Sequence, residues 1–152
     1  MNRRDALAAL GRGASLIALL PVTSFAGDRD VTDAIKSVFG NKSIHNGRVT
    51  LQLPKIAETG NSVPLTLSVK SPMSAHDRVL RACIFANRNP RPLIATMTFG
   101  PSAGRASFST NIRLSGTQDV IGIAEMSDRS LWRTQMRVMV TVGACDALQT
   151  RY

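Results

Sequence analysis

The sequence predicts an all-β fold: an immunoglobulin-like antiparallel β-sandwich preceded by one short helix. Three observations point there. Apolar and polar residues alternate in seven short runs. Clusters of Gly, Pro, Asn and Ser separate those runs at short intervals, the spacing of strands and turns in a sandwich. After an N-terminal leader is set aside, the remaining length suits one domain with a single core.

The leader comes first. Asn2-Arg3-Arg4-Asp5-Ala6-Leu7 places paired arginines just before apolar residues, the twin-arginine pattern. The apolar stretch around Leu16-Ile17-Ala18-Leu19-Leu20 is diluted by Gly11 and Gly13, and it falls short of the ~20 residues a membrane span needs. Ser24-Phe25-Ala26 offers small residues where a signal peptidase reads. Residues 1–26 are therefore expected to be an export signal leading to the periplasm, with no stable membrane insertion. An amphipathic helix would have to hold Gly11, Gly13 and Pro21, which oppose helix formation. Cleavage after Ala26 leaves 126 of the 152 residues, and the formal charge falls from +9 to +7 because three arginines and one aspartate leave.

The domain is expected over 27–142. Val31, Ile35, Val38 and Phe39 form one apolar stripe at helical spacing, with Asp30 as N-cap and Gly40 as stop. The period then changes to two. Val49-Leu51-Leu53 and Leu65-Leu67-Val69 alternate with polar residues, and Val79 to Ala86, Leu93 to Phe99, Ala106 to Leu114 and Val120 to Met126 add four strands. Thr59-Gly60-Asn61, Ser71-Pro72, Asn89-Pro90-Arg91-Pro92, Gly100-Pro101 and Ser115-Gly116 mark turns between them. The last strand is the clearest: Trp132, Thr134, Met136, Val138, Val140 and Val142 share one face.

Two strands read as apolar on both faces: Val120-Ile121-Gly122-Ile123-Ala124, and Leu80 to Ala86 with Cys83 and Phe85 on the second face. A sandwich sheet ordinarily keeps one face wet. A partner subunit is the expected cover for this second face, with the N-terminal helix as the alternative.

Beyond the last strand, residues 143–152 form an arm. Gly143 and Ala144 make a slim linker to Cys145, and Asp146 to Tyr152 follow. Three extended residues reach about 10 Å, enough to carry a thiol clear of a sheet toward another protein.

Most enzyme templates are missing. His45 and His76 sit in turn-like contexts without ligand spacing, and no phosphate loop, zinc helix or nucleophile elbow occurs. Glu125 lies near Asp128 at a strand end, where Ser127-Asp128 reads as turn chemistry rather than an acid–base pair. No metal or cofactor is expected, and no catalytic residue. The positive charge is scattered over Arg29, Arg48, Arg78, Arg88, Arg105, Arg113 and Arg133 with few aromatics between. It points to anionic small molecules or an acidic partner face and away from nucleic acid.

The two cysteines remain. In an exported chain a Cys83–Cys145 disulfide is the default. Against it, Cys83 stands mid-strand among Leu80, Ala82, Ile84 and Phe85, where a free cysteine acts as a small hydrophobe. The residues alone leave both states open: an interaction module closed by that bridge, or a free reactive thiol at Cys145.

A resemblance bears on this choice. Phe85-Ala86-Asn87-Arg88-Asn89-Pro90-Arg91-Pro92-Leu93, Phe99-Gly100-Pro101-Ser102-Ala103-Gly104-Arg105-Ala106, Ile112-Arg113-Leu114, Ala124-Glu125-Met126-Ser127-Asp128, Trp132 and Val140-Thr141-Val142-Gly143-Ala144-Cys145 resemble the SoxY sulfur carriers of thiosulfate oxidation. The resemblance covers essentially the whole domain. It implies a heterodimer with a SoxZ-like subunit and covalent attachment of the sulfur substrate to Cys145. It further implies visits to a c-type cytochrome, a sulfate-releasing hydrolase and a sulfane dehydrogenase. The family's arm typically reads Gly-Gly-Cys-Gly-Gly and stops. Here Ala144 replaces one glycine, Asp146 follows the cysteine, and the chain runs on to Arg151-Tyr152.

Overall fold

The computed structural model describes residues 28–143. The expected export signal, and the arm from Ala144 onward with Cys145, lie outside the described residues. One helix, α1 (Asp28–Phe39), precedes nine strands: β1 (Ile44–Asn46), β2 (Val49–Gln52), β3 (Ile56–Thr59), β4 (Val63–Val69), β5 (Val79–Ala86), β6 (Leu93–Thr98), β7 (Ser107–Ile112), β8 (Gln118–Met126) and β9 (Leu131–Val142). All seven expected strands are present, and β1 and β3 are additional.

Two sheets face each other. The larger runs β1-β9-β8-β5-β6 with β3 also on β9, and the smaller runs β2-β4-β7. The sandwich is not wholly antiparallel. β1 pairs parallel with residues 131–133 of β9, and β3 pairs parallel with residues 139–142. At ~3.3 Å per residue, β9 is long enough, about 40 Å, to seat both short strands end to end on one edge. The intervening β2 leaves to pair with β4 in the other sheet, so the chain touches β9 twice.

Between the sheets, alternation puts Leu51, Leu65, Leu67, Ile84, Val120 and Val138 into the main core. Gly122 is the contact point. A Cβ there would lie 3.1 Å from both Leu51 and Leu67, so the two leucines close directly over bare backbone.

The second face of β5 and β8 is covered by α1, not left open for a partner subunit. Val31 and Phe39 are buried against Cys83, Phe85, Ile121, Ile123 and Leu131, with Ile35 and Val38 half-buried beside them. The Phe39 and Phe85 rings meet at 6.4 Å between centroids. An isolated helix of this length is marginal in water. Each fully buried Phe or Ile contributes about 1.5–3 kcal/mol, so burial of this stripe is what holds it. Asp30 lies within the first helical turn and is not the N-cap, since the helix begins at Asp28. Gly40 does end it: φ is +73° and its N–H donates to the Lys36 carbonyl at 2.7 Å.

The C-terminal end of α1 is tied to the sheet by Glu125. This carboxylate, 2% exposed, accepts from Arg81 at 2.7 Å, Lys42 at 3.2 Å and Arg129 at 3.4 Å. Arg81 also donates to the Val38 carbonyl at 3.0 Å and lies over the Phe39 ring. Burial opposes ionisation of Glu125, but the hydrogen bonds from Arg81, Lys42 and Arg129 outweigh it and hold the carboxyl below the usual range. Asp128 is separate: its carboxylate accepts from the Ser130 N–H and hydroxyl at 2.9 and 2.6 Å, the turn chemistry read from sequence.

Candidate functional site: the root of the C-terminal arm

The arm leaves from the end of β9, and that end is pinned on both sides. On one edge, Ile56, Ala57 and Thr59 of β3 stand in register with Met139, Val140 and Val142. Gly60 N–H donates to the Val142 carbonyl at 2.7 Å, and Leu114 N–H donates to the Gly60 carbonyl at 2.8 Å. On the other side, the Thr117 hydroxyl accepts from Val140 N–H at 2.9 Å and lies 3.4 Å from the Val140 carbonyl. These bonds satisfy the backbone of a strand end that would otherwise fray. Gly143, the first arm residue, is buried at this root.

A polar hub braces the surrounding loops. Gln118, 1% exposed, accepts from Arg88 N–H at 2.9 Å and donates to the Asn89 side chain at 2.9 Å. Asn89 in turn accepts from Ser115 N–H at 3.0 Å and donates to the Arg113 carbonyl at 2.8 Å. The Arg88 guanidinium donates to the Thr117 carbonyl at 3.0 Å. The turn after β5 and the turn before β8 are thereby locked together beside the strand that bears the arm. Around the root, Ile56, Met139 and Val142 are 64%, 57% and 44% exposed.

Cys83 lies elsewhere. It is free, wholly buried beneath α1, with Sγ 3.5 Å from the Thr96 hydroxyl. Burial pushes its thiol pKa up, which disfavours the reactive thiolate. Cys83 stands level with Ile123, and Ile123 with Arg133. Arg133 precedes Val142 by nine residues, roughly 30 Å of strand. The three residues from Val142 to Cys145 span at most ~11 Å, whereas a disulfide needs Cα atoms within about 7 Å. With β9 formed, Cys145 cannot reach Cys83.

Of the three site residues expected from sequence, the structure describes Gly143; Ala144 and Cys145 lie outside the described residues. His45 belongs to β1 rather than a turn, and its ring rests 5.3 Å from Trp132. Among the described residues no group of three or more His, Cys, Asp or Glu could hold a metal. Sequence reasoning missed the Gln118–Asn89 hub. The only signal for it was the density of Asn and Pro in Asn87 to Pro92, which marks a turn but not its partner.

A family model for the sulfur oxidation protein SoxY matches residues 35–145, from within α1 to Cys145 itself. The chain belongs to the SoxY family. Among solved structures it is similar to the sulfur carrier protein SoxY from Chlorobium limicola f thiosulfatophilum, with 25% identity and a TM-score of 0.64 over 75% of this chain and 98% of that one. It also shares its fold with the superoxide reductase (neelaredoxin) from Ignicoccus hospitalis, at 14% identity and TM-score 0.56 over 62% of this chain and 80% of that one. The superoxide reductase from Nanoarchaeum equitans is alike, at 15% identity and TM-score 0.54 over 63% and 100%. The likeness to these reductases is one of fold alone. No curated protein matches the chain. Within the SoxY family match, 146–152 fall beyond the matched residues.

Proposed function

We propose that this chain is a covalent sulfur carrier of thiosulfate oxidation, exported to the periplasm by its twin-arginine signal, and not itself an enzyme. Cys145 is the attachment point, and Gly143 and Ala144 are the linker that lets it enter the active sites of other proteins. The observation that carries this reading is the family match that closes on Cys145, at the end of a strand whose root is pinned. Burial and distance leave Cys83 no part in the chemistry.

A thiol suits the task because sulfur–sulfur bonds form and exchange reversibly by thiolate attack. Loading joins the Cys145 sulfur to the outer sulfur of thiosulfate. The thiol proton and two electrons leave, the electrons to a c-type cytochrome, and the product is Cys–S–S–SO3−. A hydrolase then adds water across the S–SO3 bond, releasing sulfate and a proton and leaving Cys–S–SH for a sulfane dehydrogenase. An unperturbed thiol has a pKa near ~8.5 and is mostly protonated at neutral pH, so activation belongs to the receiving enzyme. A SoxZ-like subunit completes the carrier as a heterodimer.

The test is intact mass of the natively exported protein before and after a mild reductant, with peptide mapping. A reductant-labile adduct on Cys145, lost in Cys145→Ser together with thiosulfate-dependent sulfate production, is the expected result. Normal sulfate production by Cys145→Ser would refute the carrier role.

A further inference from the structure

The end of the sandwich from which the arm leaves carries a set of arginines without acidic partners. The register places the β5–β6 turn, the residues after β7 and the start of β8 at this end. Arg88, Arg91 and Arg113 stand there, all exposed. Among the described residues, the five salt bridges engage Lys42, Arg48, Arg81, Arg129 and Arg137, and none engages these three. Asp119, the carboxylate nearest in sequence to the hub, is taken by Arg137 at 3.6 Å. At the opposite end Arg48 pairs with Asp77 at 2.9 Å and Arg129 with Glu125, while exposed Lys70 and Arg105 enter none of these salt bridges, so what sets Arg88, Arg91 and Arg113 apart is their place at the root of the arm.

The Arg88 side chain and the backbones of Arg91 and Arg113 are also held in place. Arg88 is fastened to Thr117, the residue that clamps Val140. Asn89 binds the Arg113 carbonyl, and Pro90 and Pro92 flank Arg91 and restrict its backbone. Such pre-organisation lowers the ordering cost of an interface. Exposed Ile56, Met139 and Val142 add apolar area at the root, and Arg and Met are side chains enriched at protein interfaces. The chain leaves through this surface at Gly143, so any enzyme that takes Cys145 inside must press its entrance rim against it.

The geometry points to Arg88, Arg91 and Arg113 as a docking collar for an acidic rim around the entrance of the enzyme that loads the arm. This rests on the carrier reading and deepens it, placing recognition on the arm's root rather than on the arm alone. Charge of this kind acts mainly on encounter: complementary fields raise association rates by about 10–1,000-fold and fade with salt. Once docked, the chemistry at Cys145 proceeds without the collar.

The experiment uses the full exported chain with thiosulfate and a membrane-free extract of the source organism from which this chain's gene has been deleted. The rate of adduct formation on Cys145 is read by intact mass at low and at near-physiological salt. Arg91→Glu/Arg113→Glu is the test pair, since neither side chain makes a hydrogen bond among the described contacts. Lys70→Glu/Arg105→Glu, at the far end beside β4 and β7, makes the same change in net charge. Iodoacetamide labelling of Cys145 and thermal melting check that arm and fold are intact. We expect the test pair to load about tenfold or more slowly at low salt, with little remaining salt dependence, and the control pair to stay within about twofold of wild type. Equal loading by the test pair, or equal slowing in the control pair, would overturn the collar while leaving the carrier reading standing. Absence of any adduct on the wild-type chain would overturn both.

Discussion

At the Leu131 end of β9 the side chain is fully buried beneath α1, among Phe39, Phe85 and Ile123, while Val142 at the other end is 44% exposed and held through backbone hydrogen bonds to Gly60. One strand thus passes from a region held by apolar burial to one held by polar geometry. Burial is non-directional and tolerates small shifts. A hydrogen-bonded clamp of Gly60, Thr117 and Leu114 fixes direction without adding bulk. The first suits stability, and the second suits the role proposed for β9, a strand that aims a chain segment at another protein. The two regions are expected to fail separately.

The largest effect is expected under α1. Phe85→Ala removes a fully buried ring and should cost about 3–5 kcal/mol in urea unfolding, yet the folded fraction should load Cys145 at the wild-type rate. Slower loading at equal folded concentration would show that the regions are coupled. Next comes Glu125→Gln. It leaves Arg81 and Lys42, both partly solvated, without their counter-charge, and a loss of about 1–2 kcal/mol at pH 7 is expected.

That loss carries a pH signature. The Glu125 carboxyl is depressed in the fold, so its contribution is full above the unfolded value of about 4.3 and disappears as pH falls through the lower folded value. The gap between wild type and Glu125→Gln should therefore close on acidification. A gap that persists at pH 2 would mean that shape, not charge, sets the cost.

A smaller effect is expected at the root. Thr117→Val removes the hydroxyl that Val140 N–H uses, costing about 1 kcal/mol. Its clearer sign is faster amide exchange at Val140, with exchange beneath α1 unchanged. Smallest is Cys83→Ala. It should leave loading unchanged, and alkylation of the native wild-type chain should mark Cys145 alone, with Cys83 reacting only on unfolding. Rapid native labelling of Cys83 would contradict its burial.

How much of this was legible follows from the kind of signal each part left. The alternation from Trp132 to Val142 and the stripe Val31-Ile35-Val38-Phe39 are long periodic patterns, and both elements appear where the pattern places them. The apolar second face of β5 and β8 was equally plain, but sequence cannot say what lies over a face; α1 covers it. β1 and β3 left no pattern because they are three and four residues long and mostly exposed. Their partner is chosen by the free edge of β9, a tertiary fact. Gln118 and Asn89 look like ordinary turn residues, and only their meeting across the loops makes them a brace. The bridge between Cys83 and Cys145 stayed open in sequence because composition carries no distances. The register supplied them.

The pair of short parallel strands along β9 has a further consequence. An uncovered strand edge is a template for other chains and a route to aggregation. β9 is the longest strand and is rich in valine near its end, three residues before Cys145 in the sequence. With β1 and β3 seated along it, both ends of that edge are paired and only the short middle, 134–138, is without a strand partner there. If the chain carries sulfur as proposed, the edge of its longest strand is thereby paired at both ends, and recognition falls to side chains and to the residues beyond Val142.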